Sequence, residues 1–128
     1  TVGSLTSMGS VFLLCRLFGL DEAMTNSLLP KSVTTPIAVG ISESHGGLVP
    51  VTVVAVIITG IMGSILAPWL IRIFRVKDSM TAGLSIGACS HAVGTSKAIE
   101  LGETEGAMSG LAIGICGILT VVFSLFLI

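Results

Sequence analysis

The sequence predicts an all-α polytopic membrane protein, and three observations support this fold class. The hydrophobic fraction is 52% and the charged fraction 10%, whereas average soluble domains have about 25% charged residues. The mean hydropathy is +1.06. Two uncharged runs, 47–71 and 106–128, are each longer than the ~20 residues that span a bilayer core. We therefore predict a multi-pass protein of the cell (inner) membrane.

Three long helices are predicted, near residues 2–18, 48–72 and 106–128. The first stretch is uncharged up to Arg16, and the other two helices correspond to the uncharged runs. The chain begins with neither a methionine nor a basic leader. We therefore expect it to be the C-terminal part of a longer protein, with further helices before it.

A first broken segment is predicted near 22–44. Asp21 can cap its opening arm, and Pro30 ends that arm because proline cannot continue a helix. Thr35 and Pro36 then supply a capping residue and a first-turn proline. A second short helix should therefore run to about Glu43.

A second broken segment is predicted near 78–103, again opened by a capping aspartate, Asp78. Its break is the run "SHAVGTS" at 90–96, where a glycine loosens the backbone. Thr95 or Ser96 is predicted to cap a short helix that ends before Gly102.

The two broken segments resemble each other at an offset of 60 residues, which pairs Thr35 with Thr95 and Glu43 with Glu103. We interpret this as an internal repeat of a broken helix followed by a long helix, as in duplicated transporter folds. The predicted organisation is one membrane domain, 1–128, made of a transmembrane helix at 1–20 and repeat units at 21–75 and 78–128.

The short arms of the broken segments place both breaks near the middle of the bilayer. Arms of eight to twelve residues reach roughly 12–18 Å, about half of a ~30 Å hydrocarbon core. Irregular backbone at that depth needs surrounding protein or a watery cavity.

Segments that span would put the Arg and Lys residues on one side, as the positive-inside rule favours. Transporter symmetry favours re-entrant hairpins in an inverted repeat, which is our prediction.

Helix N-termini and hydroxyl groups at the two breaks predict a binding site for a small carboxylate. Unpaired backbone N–H groups and positive dipole ends favour an anion. The predicted site residues are Lys31, Ser32, Thr34, Thr35, His91, Gly94, Thr95, Ser96 and Lys97.

Structural roles compete with this interpretation for several of these residues. Hydroxyls can simply satisfy backbone groups freed by the breaks. Lys97 can pair with Glu100 or Glu103, or extend to the interface. His91 can exchange protons near neutral pH, or can hold a structural hydrogen bond.

Composition argues against several other functions. A net charge of −1, no tyrosine and one tryptophan leave no surface suited to nucleic acid. Three widely spaced cysteines, Cys15, Cys89 and Cys116, predict apolar packing rather than disulfides or a metal site. Motifs of phosphate-binding loops, nucleophile elbows and zinc proteases do not occur. We predict no enzyme activity, no cofactor and no metal.

Glycine stripes predict close helix packing. One stripe is formed by Gly106, Gly110 and Gly114, and a second pair by Gly83 and Gly87. Because such faces need cover, we predict a homo-oligomer or a complex with another membrane protein. Gly110→Leu should then disturb assembly or folding.

Two long motifs, "LLPKSVTTPIA" at 28–38 and "GACSHAVGTSKAIELGETEGAMSGLA" at 87–112, resemble the LrgB/CidB family of bacterial membrane proteins. This family includes the carrier half of the plastidal glycolate/glycerate translocator of plants. The resemblance covers essentially the whole chain, and it implies a smaller LrgA/CidA-like membrane partner.

The resemblance implies two functions, and we place transport first. The predicted function is membrane transport of a small monocarboxylate of the pyruvate, glycolate or glycerate class. Coupling of this transport to proton movement is left open, and no residue is assigned to carry the proton. The alternative is a holin-like or antiholin-like regulator of murein hydrolase activity and cell lysis that has no substrate of its own. Matched, capped breaks favour the carrier, because a lysis regulator has no evident need for them.

Overall fold

The computed structural model describes the backbone of residues 2–127 and the side chains through residue 126. This part of the chain is all-helical, which confirms the all-α part of the predicted class. Its six helices are α1 (Val2–Leu17), α2 (Glu22–Leu28), α3 (Thr35–Ser44), α4 (Val49–Ile73), α5 (Ser79–Leu101) and α6 (Glu103–Leu127). By length and composition, α4 and α6 can cross a membrane. Helix α1 has 16 residues, fewer than the ~20 of a straight crossing.

The first broken segment begins and breaks where the sequence predicts. The carboxylate of Asp21 accepts a hydrogen bond from the backbone N–H of Met24 at 2.9 Å and caps α2. Helix α3 begins at Thr35 with Pro36 in its first turn, so the capping position is Thr34, whose side chain makes no cap hydrogen bond, and not Thr35 as predicted. The intervening residues, 29–34, form turns rather than helix.

The end of α3 returns to the side of α2. The Asn26 amide donates to the His45 carbonyl at 2.8 Å, and the Leu48 N–H donates to the Ser27 hydroxyl at 2.6 Å. Because these bonds join the middle of α2 to the residues after α3, the chain reverses direction between them. We call residues 22–44 the first hairpin and residues 29–34 its tip.

The second broken segment reverses at one residue. Within α5, His91 has φ 42° and ψ −141°, which is not helical, and it divides the helix into arms at 79–90 and 92–101. Ile86 of the first arm and Ala98 of the second lie in one apolar cluster. Two residues that are twelve positions apart could not meet in a straight helix, so the second arm folds back on the first. We call residues 79–101 the second hairpin and His91 its tip.

This geometry corrects the predicted cap of the second short helix. The second arm begins at residue 92, so Thr95 and Ser96 lie inside it rather than at its start. A single residue with positive φ turns the backbone sharply enough by itself. The reversal therefore does not need a stretch of several irregular residues. Asp78 caps the first arm as predicted, and the hydrogen bond from the Thr81 hydroxyl lowers the pKa of its carboxyl group.

The long helices α4 and α6 run in opposite directions. On α4, Gly63 lies against Ser90 and Ala67 clusters with Ile86, so α4 is antiparallel to the first arm of α5. On the other side of this arm, Gly83 approaches Glu105 and Gly87 approaches Ser109. Because residue numbers rise together along the two contacting elements, α6 is parallel to the same arm.

Both hairpin tips contact α4 between its two ends, at Val56. Val33 of the first tip packs with Val56, and Nε2 of His91 lies 2.9 Å from the carbonyl oxygen of Val56. Helix α4 extends from Val49 to Ile73. The tips therefore meet at a level within the length of this helix rather than beyond one of its ends.

Candidate functional site

Apolar side chains hold the first tip in place. Leu29 is 1% exposed and packs with Met8 and Cys15 of α1. Pro30 and Val33 are buried as well. These anchors leave Lys31, Ser32, Thr34 and Thr35 half-buried around them.

Ser32 of the first tip forms a polar contact with α1, and Lys31 bonds to Ser32. The hydroxyls of Ser7 and Ser32 are 2.5 Å apart, and Nζ of Lys31 donates to the Ser32 hydroxyl at 3.5 Å. Within residues 2–126 the one ion pair joins Lys97 to Glu100, so no carboxylate in that part of the chain pairs with Lys31.

His91 at the second tip makes a buried hydrogen bond. The residue is 3% exposed, and its Nε2 meets the Val56 carbonyl. Since a carbonyl only accepts, Nε2 must carry the proton. Gly60 makes room for the ring, because a Cβ there would lie 2.6 Å from Cε1. Of the two roles weighed for this histidine, the geometry matches the structural one.

The remaining predicted residues of the second hairpin contact their own hairpin or α6. Thr95 donates to the His91 carbonyl at 3.0 Å and lies 2.7 Å from the Ser109 hydroxyl of α6. Ser96 is exposed and bonds back to its own helix, while Lys97 pairs with Glu100. Gly94 packs against Ser90. These contacts match the structural alternatives weighed above.

Of the four predicted residues on the first tip, the described side-chain contacts join only the neighbours Lys31 and Ser32. Lys31 and Ser32 lie together, and the cavity that Ser32 lines is also lined by Ala88 of the second hairpin. Three hydroxyls that the sequence analysis missed line the same cavity: Ser4, Ser7 and Thr120. The spacing of Ser4 and Ser7, three residues apart in an apolar helix, places both on one face and could have identified them.

This arrangement suits hydrogen bonding to an anion rather than metal chemistry. Hydroxyl groups line the cavity, the Lys31 ammonium reaches the Ser32 hydroxyl from outside that lining, and none of the described lining residues is Asp or Glu. Among the described residues, no three His, Cys, Asp or Glu side chains come together as metal ligands would.

Comparison with known proteins gives consistent matches. The model of the LrgB-like family matches residues 1–128. The chain is 42% identical over 121 residues to "Antiholin-like protein LrgB" of Bacillus cereus (strain B4264) and to the protein of the same name from Bacillus anthracis (strain A0248). Each alignment covers 94% of this chain and 53% of the relative. The chain thus spans about half the length of these curated relatives. No solved structure matches it.

These matches bear on location and on the choice between the two predicted functions. Similarity to a membrane protein family, together with the apolar helices α4 and α6, places the chain in a membrane. The relatives' name agrees with the alternative function, lysis regulation, better than with transport. The matched family is not a family of enzymes.

Proposed function

We propose that this chain, which belongs to the LrgB-like family, is an antiholin-like membrane protein that restrains cell lysis by regulating murein hydrolase activity. The observation that carries this proposal is its 42% identity, over 94% of the chain, to proteins named antiholin-like. We place this function ahead of carboxylate transport, which the sequence analysis placed first. We also propose that the protein crosses the cell (inner) membrane several times.

We further propose that regulation involves an LrgA/CidA-like membrane partner or a second copy of the chain. On α6, a side chain at Gly110 or Gly114 would meet no atom of the described protein within 4 Å. Leu111 and Ile118 on the same helix are exposed. This face is therefore open to lipid or to another protein, which supports assembly without identifying the partner.

A lysis assay tests the regulatory function. We expect a bacterial strain lacking its own LrgB-type gene to autolyse more slowly when the protein is expressed together with an LrgA-type partner. An empty vector and the partner alone are the controls, and immunoblots of membranes establish equal protein levels. Unchanged autolysis at equal levels would contradict the proposal.

The second candidate function is transport of a small monocarboxylate, and one observation favours it. Both hairpin tips contact Val56 within the length of α4, and one tip carries the ammonium of Lys31, which pairs with no carboxylate among residues 2–126. Opposite directions of α4 and α6 support our proposal that units 21–75 and 78–128 form an inverted repeat. In such folds two tips enclose a site near the bilayer middle.

Uptake into liposomes separates the two functions, because altered carboxylate flux could itself change lysis. A carrier should give saturable uptake of labelled pyruvate, glycolate or glycerate under an imposed proton gradient. Lys31→Gln should lower uptake at least tenfold, since a hydrogen bond to a charged group contributes about 1.5–3 kcal/mol. Lys77→Gln, which changes an exposed lysine between α4 and α5, is the matched control. No uptake of any of the three acids by protein that still controls lysis would exclude the carrier.

The re-entrant path of the first hairpin has its own test. In a protein whose native cysteines are replaced, single cysteines at Glu22 and Ser44 should react with an impermeant maleimide from the same side of the membrane. Both positions are exposed: Glu22 is the first residue of the hairpin and Ser44 is its last. Cysteines at Leu48 and Arg75, which flank α4, should react from opposite sides. Labelling of positions 22 and 44 from opposite sides would replace the hairpin with a spanning segment.

A further inference from the structure

The C-terminal end of α4 carries two exposed arginines without an anionic partner. Arg72 lies in the last turn of the helix, and Arg75 lies just after it. Neither pairs with a carboxylate among residues 2–126, and the nearest carboxylate along the chain, that of Asp78, caps α5 instead. The helix dipole favours a cation at a C-terminus, which by itself would account for Arg72 but not for the backbone at Arg75.

Arg75 occupies a backbone position that favours glycine. Its φ is 51°. The Arg75 N–H donates to the Arg72 carbonyl at 3.3 Å, and the Val76 N–H donates to the Ile71 carbonyl at 3.0 Å. These two bonds form the helix ending that places one left-handed residue after the helix, usually glycine, because a Cβ is strained there.

Two other helices end in the same way but with glycine. At the end of α1 the left-handed residue is Gly19, with φ 65°, and at the end of α3 it is Gly46, with φ 70°. Both make the bonds that Arg75 makes, to the carbonyls of Arg16 and Glu43 respectively. The turn after α4 therefore does not itself require an arginine. Strain that persists in a folded protein is often associated with function, so the side chain of Arg75 calls for a role.

The face of α4 that leads to Arg72 is exposed and apolar. Ile58, Ile65 and Trp69 are exposed, and with Arg72 they follow the spacing of one helix face. With 25 residues, α4 is about 37 Å long and exceeds a ~30 Å hydrocarbon core, so a helix that crosses the membrane extends into the headgroup layer. Tryptophan is enriched at this boundary, and Trp69 lies one turn before Arg72.

We propose that Arg72 and Arg75 bind the phosphate groups of anionic phospholipids, with Trp69 at the boundary between the headgroups and the acyl chains. Guanidinium groups match phosphate oxygens through paired N–H donors. An acidic segment of another protein could also neutralise the arginines, but it would leave the apolar face of Ile65 and Trp69 uncovered. Lipid covers that face and supplies the negative charge together. The inference applies to a regulator and to a carrier alike.

Quenching of tryptophan fluorescence tests the site, because Trp69 is the one tryptophan in the sequence. The purified protein is reconstituted into phosphatidylcholine vesicles that contain a fraction of brominated phosphatidylglycerol or, for comparison, of brominated phosphatidylcholine. Bromine quenches only at short range, so the ratio of the two quenching constants gives the lipid preference beside Trp69. We expect phosphatidylglycerol to be preferred.

Arg72→Gln and Arg75→Gly should each lower this preference about fivefold, the share of one basic residue near an anionic surface. Arg72→Lys keeps the charge and should retain most of the preference. Arg16→Gln is the matched control, because Arg16 is also an exposed arginine in the last turn of a helix, and it should leave the preference unchanged.

Thermal unfolding in a neutral detergent separates lipid binding from a structural role of Arg75. Arg75→Gly should unfold at a higher temperature than the wild type, because glycine relieves the left-handed backbone, although it binds phosphatidylglycerol less well. Equal quenching by the two lipids in the wild type would overturn the proposal, and so would a wild-type preference in both Arg72→Gln and Arg75→Gly. An equal loss of preference in Arg16→Gln would assign the effect to net charge and also reject the site.

Discussion

Gly87→Leu is expected to prevent the chain from folding, whereas Gly110→Leu should leave the fold intact. A Cβ at Gly87 would overlap the backbone oxygen of Ser109 and lie 2.9 Å from the Cβ of Ala112. Backbone cannot move aside as a flexible side chain can, so the first arm of α5 would separate from α6. Even Gly87→Ala should cost about 1–3 kcal/mol, the usual range for overpacking. A leucine adds three more carbons to the same contact.

Fluorescence-detected size exclusion and thermal unfolding in detergent measure this effect. Gly87→Leu should lose its monodisperse peak, and Gly110→Leu should keep the wild-type unfolding temperature. From the sequence alone, Gly110→Leu is expected to disturb either assembly or folding. The open space at Gly110 argues against a folding defect, so assembly is the property that this variant should change. A shift of the Gly110→Leu peak to smaller size would identify that face as an interface. A folded, wild-type-like Gly87→Leu would contradict the α5–α6 packing described here.

His91→Ala is expected to destabilise the protein more than His91→Gly, the reverse of the usual order in helices. Both variants lose the ring and its bond to Val56, and loss of a buried ring costs about 3 kcal/mol. Only glycine relieves the backbone at φ 42° and ψ −141°, a region that residues with a Cβ rarely adopt. Since strain of this kind costs about 1–3 kcal/mol, the glycine variant should be more stable by about 1 kcal/mol after its entropic cost.

Ala92→Gly is the matched control, one residue away in the second arm. There the backbone is helical and the residue is exposed, so glycine should destabilise by roughly 0.5–1 kcal/mol relative to alanine. Thermal or denaturant unfolding of the three variants gives both comparisons. If His91→Gly is less stable than His91→Ala, the sharp reversal at this residue is not a feature of the folded protein.

Local sequence patterns sufficed for the elements themselves. Long uncharged runs predict α4 and α6 because only a helix satisfies its own backbone in lipid. Asp21 and Asp78 cap their helices in the structure. The Thr35-Pro36 pair starts α3 because proline's fixed φ and missing N–H suit a first turn. Each of these signals acts over one or two turns of the chain, so a single sequence contains it in full.

The contacts between distant residues were decided only by the tertiary structure. The run 90–96 predicts a break, but the position of the reversal at His91 goes with the ring's bond to Val56, 35 residues away, which no local pattern indicates. Among the glycines, packing fills the space beside Gly83 and Gly87 and leaves Gly110 and Gly114 open, although all four have the same spacing. The hydroxyls of Ser7 and Ser32 meet because α1 and the first tip pack through Leu29. Such meetings depend on which helix faces are buried against each other, and helix periodicity alone does not determine that pairing.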